Sequence, residues 1–341
     1  MKKTIFVVDD SASNLTLATD ALSPHYTVMT FSSGEKALAP LGKIKPDIIL
    51  LDIEMPEMDG FEVLDYLKSN ESLKDIPVIF LTSKTDFDTE VIALEKGVVD
   101  FMGKPFNPAV LLNRISHHID IAGLVRERTS QLRSARQDII FVLADIVENR
   151  DESTGDHLGR TSKLIYCLLE HMMRKGVYAK EIADWDFNTI AECSMLHDVG
   201  KIKTPDIILK KPGKLTAEEW VIMRNHTLDG EKIIEKIINR SGENVFLNNA
   251  KIFAVSHHEK WNGKGYPHNL KGAGIPLQGR IMAIADVYDA LMSKRVYKKA
   301  YTFKESFEMI SSEKGEHFDP KIVDIFFDIE ESIREEIYYG L

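Results

Sequence analysis

Up to about residue 121, short apolar runs alternate with segments of helical periodicity. The apolar runs lie at residues 4–8, 27–31, 47–51, 77–81 and 98–102. Helical spacing of apolar positions marks the segments between them, at residues 14–22, 34–41, 60–67 and 89–96. Alternation of strands and helices at this spacing predicts a parallel sheet covered by helices on both faces. The expected fold is an α/β domain with five parallel strands.

Polar residues occur where these predicted strands end. Asp9 and Asp10 end the first strand, Asp52 follows the third, Thr82 the fourth, and Lys104 comes after the fifth. In open parallel sheets the functional site lies at the carboxyl ends of the strands. A single acid in such a place is most often a solvated turn residue. The prediction of a functional site therefore depends on the whole ordered set of residues and not on any one of them.

This ordered set resembles the receiver domain of two-component response regulators, over about residues 2–121. The resemblance rests on four segments: VVDD at 7–10, LDIEMPEMDG at 51–60, LTSK at 81–84 and FMGKPF at 101–106. It implies the flavodoxin-like fold of receiver domains, with a five-stranded parallel sheet. It also implies that Asp52 is the nucleophile that accepts a phosphoryl group from a cognate histidine kinase.

Further receiver roles come from the same resemblance. A Mg²⁺ ion is implied, because this ion prefers carboxylate and water oxygens. Its implied ligands are Asp9, Asp10, Asp52 and the backbone carbonyl of Glu54. Thr82 and Lys104 are expected to contact the phosphoryl oxygens, with Phe101 as an aromatic switch residue. The Lys104–Pro105 bond is expected to be cis.

A long helix is predicted from Pro108 to about Arg150, where no further proline and only one glycine occur. A seven-residue repeat of mostly apolar residues runs through this segment, and arginines interrupt the seam beside it. The repeat comprises Leu111, His118, Val125, Leu132, Ile139 and Ile146. Two interpretations stay open: a signalling helix that pairs in a homodimer, or a solvated helix that packs on its own domains.

The remainder, about residues 136–338, has helical patterns and polar loops, which predicts an all-α domain. An amphipathic helix is expected over 188–199, with His197 and Asp198 at its end and Gly200 as its stop. A second helix, at 277–292, places Asp286 among apolar neighbours. A carboxylate in such surroundings needs a partner, and a cation is the obvious one.

Histidine and aspartate side chains accumulate in this half of the chain. The set comprises His157, His197, Asp198, His226, His257, His258 and Asp286. Imidazole and carboxylate groups together are the usual ligands of borderline divalent metals. Two such metals a few Å apart are a general device for hydrolysing phosphate diesters.

These residues lie in segments that resemble the HD-GYP family of cyclic di-nucleotide phosphodiesterases, over about residues 138–320. The segments are RDESTGDH at 150–157, LHDVGK at 196–201, MRNHTLDG at 223–230, HHEKWNGKGYP at 257–267 and ADVYDALMSKRVYK at 285–298. The HD pair alone indicates a broad superfamily, and the HHE…GYP stretch narrows it. The resemblance implies an HD-superfamily fold and hydrolysis of cyclic di-GMP to pGpG or GMP.

The resemblance also implies which residues bind metal, which are catalytic and which contact the substrate. His157, His197, Asp198 and Asp286 surround one metal, while Asp198 bridges to a second metal held by His226, His257 and His258. His197, Asp198 and Lys201 form the catalytic group. Substrate contacts are expected from Lys201, Arg295, Lys298 and Tyr266, although packing in the loop explains Tyr266 equally well. Gly265 is expected to shape that loop, and Asp289 and Lys260 are weaker candidates.

One departure from the family bears on the number of metals. Some members hold a third metal with a glutamate four residues before the first histidine, where this chain has Ser153. Glu152 lies five residues before His157, and a five-residue spacing turns side chains away from each other on a helix. A binuclear site is therefore expected. Iron or manganese is favoured by the resemblance, whereas Ni, Co or Zn also suit these ligands.

Composition restricts the remaining classes. With 341 residues, the chain is long enough for two domains. Its formal net charge of −10 argues against DNA as its main partner. Cys167 and Cys193 are isolated, and no apolar run reaches the roughly 20 residues of a membrane span. We expect a cytoplasmic protein without a membrane span.

The sequence as a whole predicts a response regulator whose phosphorylation at Asp52 controls a metal-dependent phosphodiesterase. The expected divisions are a receiver at 1–122, a linking helix at 123–137 and an HD-GYP domain at 138–341. Expected partners include a histidine kinase, diguanylate cyclase (GGDEF) proteins and a second copy of the chain. Two alternatives remain: a hydrolase of cyclic GMP-AMP or phosphomonoesters, and a module that binds cyclic di-GMP without hydrolysing it.

Overall fold

A computed structural model describes residues 2–70, 72–83, 87–151, 156–293 and 300–338. Contacts between Cα atoms divide the chain into two compact units, Met1–Arg133 and Ser134–Leu341. Each unit has its own apolar core.

The first unit is built on a five-stranded sheet. Its strands are β1 (Thr4–Val8), β2 (Thr27–Phe31), β3 (Ile48–Asp52), β4 (Val78–Thr82) and β5 (Asp100–Gly103). All pairs are parallel, in the order β2-β1-β3-β4-β5. This is the flavodoxin-like order. The predicted fold is therefore confirmed, and each predicted apolar run became a strand.

Helices cover both faces of this sheet. They are α1 (Ala12–Leu22), α2 (Gly34–Leu38), α3 (Gly60–Ser69) and α4 (Phe87–Glu95), with a 3-10 turn at Ala39–Gly42. Because successive strand residues point to opposite faces, Phe6 and Val8 belong to one core cluster while Ile5 and Val7 belong to the other. Burial on both faces explains why the inner strands β1, β3 and β4 are apolar along most of their length.

Helix α5 runs from Pro108 to Glu148, so it begins in the first unit and ends in the second. Leu111 near its start and Ala144 near its end are buried. Between them, Leu132 is 72% exposed and Ile139 is 60% exposed. The middle of the helix thus leaves an apolar seam uncovered within this chain.

The second unit is helical, as predicted. A 3-10 turn at Asn149–Asp151 comes first. The helices that follow are α6 (Asp156–Lys175), α7 (Ala179–Ile182), α8 (Phe187–Ser194), α9 (Asp206–Leu209), α10 (Ala217–Arg224), α11 (His226–Ser241), α12 (Val245–Ser256), α13 (Leu277–Met292), α14 (Phe303–Ser312) and α15 (Pro320–Asp328). A short α16 (Glu330–Ser332) and a π-helical turn at Ile333–Tyr338 follow. Helix α13 has the predicted bounds and is buried along most of its length.

The prediction of one helix over 188–199 was wrong in extent. Helix α8 ends at Ser194, and a 3-10 turn at Val199–Lys203 follows. The backbone N–H of His197 donates to the carbonyl of Ser194 at 3.0 Å, an i to i+3 bond that tightens the chain. His197 and Asp198 therefore occupy a turn after the helix rather than its last residues.

Among the residues that the structure describes, no helix has both the length and the apolar character needed to cross a bilayer.

Candidate metal centre and receiver site

The acidic residues of the first unit meet at the carboxyl ends of β1 and β3. Asp9 and Asp52 are buried, whereas Asp10 is exposed. One carboxylate oxygen from each lies within 4.8 Å of the others. The three predicted Mg²⁺ carboxylates are thus together, with the oxygen chemistry that this ion prefers.

Lys104 lies between the two buried carboxylates. Its Nζ is 2.7 Å from Asp9 Oδ2 and 2.6 Å from Asp52 Oδ2. Burial opposes the charged form, but hydrogen bonds to Asp52 and Asp9 raise the pKa of Lys104 above its usual value. Burial raises the pKa of Asp52, and the charge of Asp9 adds to this while Lys104 opposes it. The peptide bond between Lys104 and Pro105 is cis, as expected.

The other predicted receiver residues lie at or near this edge. The backbone N–H of Glu54 donates to Asp52 Oδ1 at 3.3 Å. Thr82 ends β4 and is buried. Phe101 lies in β5, with its ring centroid 6.0 Å from that of Phe80 in an edge-to-face arrangement.

The histidines and aspartates of the second unit come from several elements and converge in two groups. His157 lies on α6, His197 and Asp198 follow α8, His226 begins α11, His257 and His258 follow α12, and Asp286 lies on α13. One group is His157, His197 and Asp286, and the other is Asp198, His226, His257 and His258. Each group has candidate ligand atoms within 4.8 Å of one another.

Backbone carbonyls fix the orientation of the histidine rings in the second group. Nδ1 of His226 donates to the carbonyl of Met223 at 2.6 Å, and Nδ1 of His257 donates to that of Phe253 at 3.0 Å. Because a carbonyl can only accept, Nδ1 carries the proton and Nε2 has the lone pair. The two Nε2 atoms lie 3.3 Å apart. Two lone pairs at that distance require a cation or a proton between them.

Asp198 faces both groups. Its Oδ2 is 3.3 Å from His197 Nε2, while its Oδ1 is 3.2 Å from His226 Nε2. Burial opposes ionisation, but Lys201 and His197 hold the pKa of Asp198 well below its usual value. A carboxylate placed in this way is suited to bridging two cations.

His197 is fully buried, and its Nδ1 donates to the carbonyl of Ser194 at 2.8 Å. Burial lowers the pKa of His197, but the charge of Asp198 outweighs it and raises the pKa to about 9. Without a metal, a proton therefore occupies the Nε2 that faces the site. His197 Nε2 and Asp198 Oδ1 lack a hydrogen bond of good geometry within the described residues.

His157 is oriented by a carboxylate instead of a carbonyl. Its Nδ1 lies 2.7 Å from Asp289 Oδ2, and its Nε2 lies 3.6 Å from Asp286 Oδ1. Asp289 also accepts from Arg160 at 2.6 Å and from the hydroxyl of Tyr338 at 2.7 Å. Burial raises the pKa of Asp289, but His157 and Arg160 overcome this and hold it well below its usual value. Carboxylate–histidine pairs of this kind orient metal ligands.

The loop after α12 covers the second group. The ring of Tyr266 lies 4.7 Å from that of His258, and Arg224 lies 5.2 Å from the Tyr266 ring centroid. At Gly265 a Cβ would come within 2.3 Å of the backbone nitrogen of Lys260, so only glycine fits. Buried Glu259 accepts from the N–H groups of His268 and Leu270 and fixes the loop. Glu259 was not predicted as a site residue. Its place directly after His257 and His258 was the signal in the sequence that could have identified it.

Gly200, two residues after Asp198, packs closely against the backbone of His226. A Cβ there would lie 1.8 Å from the carbonyl oxygen of His226. Glycine therefore lets the His197–Asp198 turn pack directly on the start of α11.

Lys201 and Glu148 complete the inner surroundings. Lys201 Nζ lies 2.7 Å from Asp198 Oδ2 and 3.8 Å from Glu148 Oε1. Glu148, the buried last residue of α5, was not predicted as a site residue. Arg295 and Lys298 lie outside the described residues, as do Glu152 and Ser153.

These residues fit divalent cations. The facing Nε2 atoms of His226 and His257 and the buried Oδ1 of Asp198 are polar groups that a cation would satisfy. Neutral imidazoles and carboxylates are the donors that borderline metals prefer. Burial and the neighbouring His257 lower the pKa of His258 well below its usual value, which keeps this ring neutral.

Fold and site together define a receiver domain followed by a helical domain with a histidine–aspartate centre. Residues 142–322 match the family model of the HD domain, and residues 5–116 match that of the response regulator receiver domain. The chain belongs to the HD-domain family, as a response regulator that carries this domain behind a receiver. The resemblance found in the sequence is thereby confirmed.

Two relatives match this chain over most of its length, and a third matches it over little more than half. A "Probable cyclic di-GMP phosphodiesterase" of Vibrio cholerae is 39% identical over 95% of this chain and 77% of the relative. The "Cyclic di-GMP phosphodiesterase response regulator RpfG" of Xanthomonas campestris is 33% identical over 94% of this chain and 86% of the relative. The "3'3'-cGAMP-specific phosphodiesterase 2" of Vibrio cholerae is 42% identical over 58% of this chain and 35% of the relative.

Proposed function

We propose that the second unit hydrolyses cyclic di-GMP to pGpG and/or GMP, under control of phosphorylation at Asp52. The observation that carries this is the convergence of imidazole and carboxylate ligands around Asp198. Two relatives that match more than nine-tenths of this chain are named as cyclic di-GMP phosphodiesterases.

Two divalent ions fit the two groups of ligands, with iron or manganese favoured and Ni, Co or Zn as further options. We assign one ion to His157, His197 and Asp286 and the other to His226, His257 and His258, with Asp198 between them. When bound, two such ions supply an activated water and neutralise charge on the phosphodiester.

The chain's own residues hold and orient the reacting groups. Carbonyls and Asp289 fix the histidine rings, so that Nε2 points to the centre. The ammonium of Lys201, 2.7 Å from Asp198 Oδ2, places positive charge beside the carboxylate that would lie between the two ions. It is therefore positioned to balance charge on phosphate oxygens or to assist proton transfer. Tyr266 closes one side of the site beside His258.

Arg295 and Lys298 are the proposed contacts to the substrate phosphates. Their proposal rests on the sequence resemblance, because both lie outside the described residues. In the sequence they lie three residues apart.

The receiver supplies the control. We propose that a histidine kinase phosphorylates Asp52, with Mg²⁺ held by Asp9, Asp10, Asp52 and the carbonyl of Glu54. Thr82 and Lys104 then contact the phosphoryl oxygens, with Phe101 as the switch residue. Lys104 already bridges Asp9 and Asp52, so an added phosphoryl group changes the partners of its ammonium.

The exposed seam of α5 supports a homodimer. Val125, Leu132, Ile139 and Ile146 repeat every seven residues and are each more than half exposed. This pattern is typical of a two-stranded coiled coil. Association with diguanylate cyclase (GGDEF) proteins is proposed from the family resemblance alone. The same resemblance is the basis for the proposed domain boundaries, with a receiver at 1–122, a linking helix at 123–137 and an HD-GYP domain at 138–341.

Cyclic GMP-AMP is the second candidate substrate. A relative of that specificity is 42% identical over 197 residues. A test compares turnover of cyclic di-GMP, cyclic GMP-AMP and a phosphomonoester by the metal-loaded full chain. Preferential hydrolysis of cyclic di-GMP supports the proposal, whereas preference for another substrate replaces it. Binding of cyclic di-GMP without product would indicate a non-catalytic module.

A further inference from the structure

The long helix α5 ends in a buried carboxylate. Glu148 is its last residue and is only 3% exposed. The carboxyl end of a helix carries partial negative charge, which disfavours an acidic side chain there. Burial adds a further cost unless a cation offsets the charge. Such a placement requires positive charge nearby.

Glu148 faces the metal centre. Its Oε1 lies 3.8 Å from Lys201 Nζ, and Lys201 in turn lies 2.7 Å from Asp198 Oδ2. Ligand atoms of Glu148, His197 and Asp198 also lie within 4.8 Å of one another. Lys201 Nζ therefore lies close to both the Glu148 and the Asp198 carboxylates.

The orientation of His197 decides which ion Glu148 would serve. Nδ1 of His197 is engaged by the carbonyl of Ser194, so Nε2 is the one nitrogen that it can offer to a metal. One nitrogen lone pair binds one ion. The ion beside Glu148 and His197 is therefore the same ion that His157, His197 and Asp286 surround.

We propose that Glu148 supplies a carboxylate ligand to this ion and so belongs to the metal centre. It adds a third carboxylate beside Asp198 and Asp286, which favours hard or borderline ions such as Mn²⁺ and Fe²⁺. The inference rests on the proposed function, because it requires that the centre holds metal. Its consequence is that the helix that begins in the receiver ends on a metal ligand.

The segment that follows Glu148 is anchored to the same turn. Arg150 donates to the carbonyl of Lys201 at 3.0 Å and to that of Thr204 at 3.0 Å. It also pairs with Asp206 at 2.6 Å. The end of α5 is thus held against the turn that carries Lys201, which keeps the Glu148 carboxylate beside His197 and Asp198.

The test is Mn²⁺ binding to the metal-free full chain, measured by calorimetry and by metal content after dialysis. With the receiver site kept filled by excess Mg²⁺, the histidine–aspartate centre of wild type is expected to bind two Mn²⁺ ions. Glu148→Gln should weaken one of them by roughly tenfold or more and leave the other unchanged. Glu127→Gln, an exposed carboxylate on the same helix, serves as the matched control and should bind as wild type does.

Two ions bound by Glu148→Gln with wild-type affinity would overturn the inference. Should this variant fail to fold, Glu148→Asp is measured instead, because it keeps the charge and shortens the side chain by one methylene. Wild-type Mn²⁺ affinity for both ions in Glu148→Asp would then overturn the inference, and weakened binding of one ion would support it. A wild type that binds two ions but hydrolyses no cyclic dinucleotide refutes the proposed function alone.

Discussion

Nε2 of His226 lies 3.3 Å from Nε2 of His257, while Nδ1 of each ring donates to a backbone carbonyl. The backbone thus forces two lone pairs towards each other. Bringing them together costs free energy that a shared cation recovers. This relationship is the clearest physical sign that the centre is built for a metal.

Replacing His226 with alanine should remove one ion and leave the other. The reason is that His197, His157 and Asp286 form a separate group. Metal analysis of the purified variant should show one ion per chain, with cyclic di-GMP hydrolysis lost. Retention of two ions would contradict the assignment of His226 as a ligand.

Asp289→Asn should weaken metal binding or activity by roughly 10- to 100-fold, because Asp289 orients the His157 ring. The variant keeps the shape of the side chain but loses the charge that pairs with Arg160. Metal affinity and kcat are the measurements. Asp184→Asn, at an exposed position, is the matched control, and equal behaviour of the two variants would refute the orienting role.

Metal binding should release a proton from His197. Its pKa is raised to about 9 without metal, so the ring is protonated at neutral pH and must lose that proton to become a ligand. Affinity should therefore increase with pH, approaching about tenfold per unit below pH 9, if other protonation states stay constant. Calorimetry in buffers of different ionisation enthalpy counts the protons, and a count of zero would contradict the expectation.

Acyl phosphate should label the wild-type receiver at Asp52 in the presence of Mg²⁺, because Asp9 and Asp10 lie close enough to Asp52 to hold such an ion with it. Mass spectrometry of peptides locates the label. Asp52→Asn should remain unlabelled. If neither this variant nor a beryllofluoride mimic changed activity or oligomeric state, the proposed control by phosphorylation would be wrong.

The exposed seam of α5 predicts that Leu132→Glu disrupts a homodimer. Leu132 is 72% exposed within one chain, so the substitution leaves the fold of the monomer intact. Light scattering measures the mass in solution. Ser130→Glu, on the same helix but off the seam, should leave the dimer unchanged, and a monomeric wild type would exclude the dimer.

Periodicity in the sequence predicted the elements whose burial follows a regular pattern. Helix α13 appeared with its predicted bounds because nearly every apolar position in it packs in the core. The turn at His197 was not predicted, because its i to i+3 hydrogen bonds depend on the carbonyl of Ser194 and on the packing of Gly200 against His226. Such tertiary contacts leave no periodic signal.

The proposed ligand set was predicted from residue types and their order along the chain, and the structure brings these residues together. Glu148 escaped prediction because Lys201, its partner, lies far away in the sequence. Asp289 carried a readable signal, since it lies three residues after Asp286 and hence near it on one helix. Tyr338 carried none, because its contact with Asp289 arises only when the end of the chain folds back.

The most direct test of the account combines metal analysis of anaerobically purified protein with a cyclic di-GMP product assay. The account predicts that hydrolysis rises with iron or manganese content up to two ions per chain and is absent in His197→Ala and Asp198→Ala. Hydrolysis by the fully metal-free protein, or undiminished hydrolysis by either variant, would contradict it.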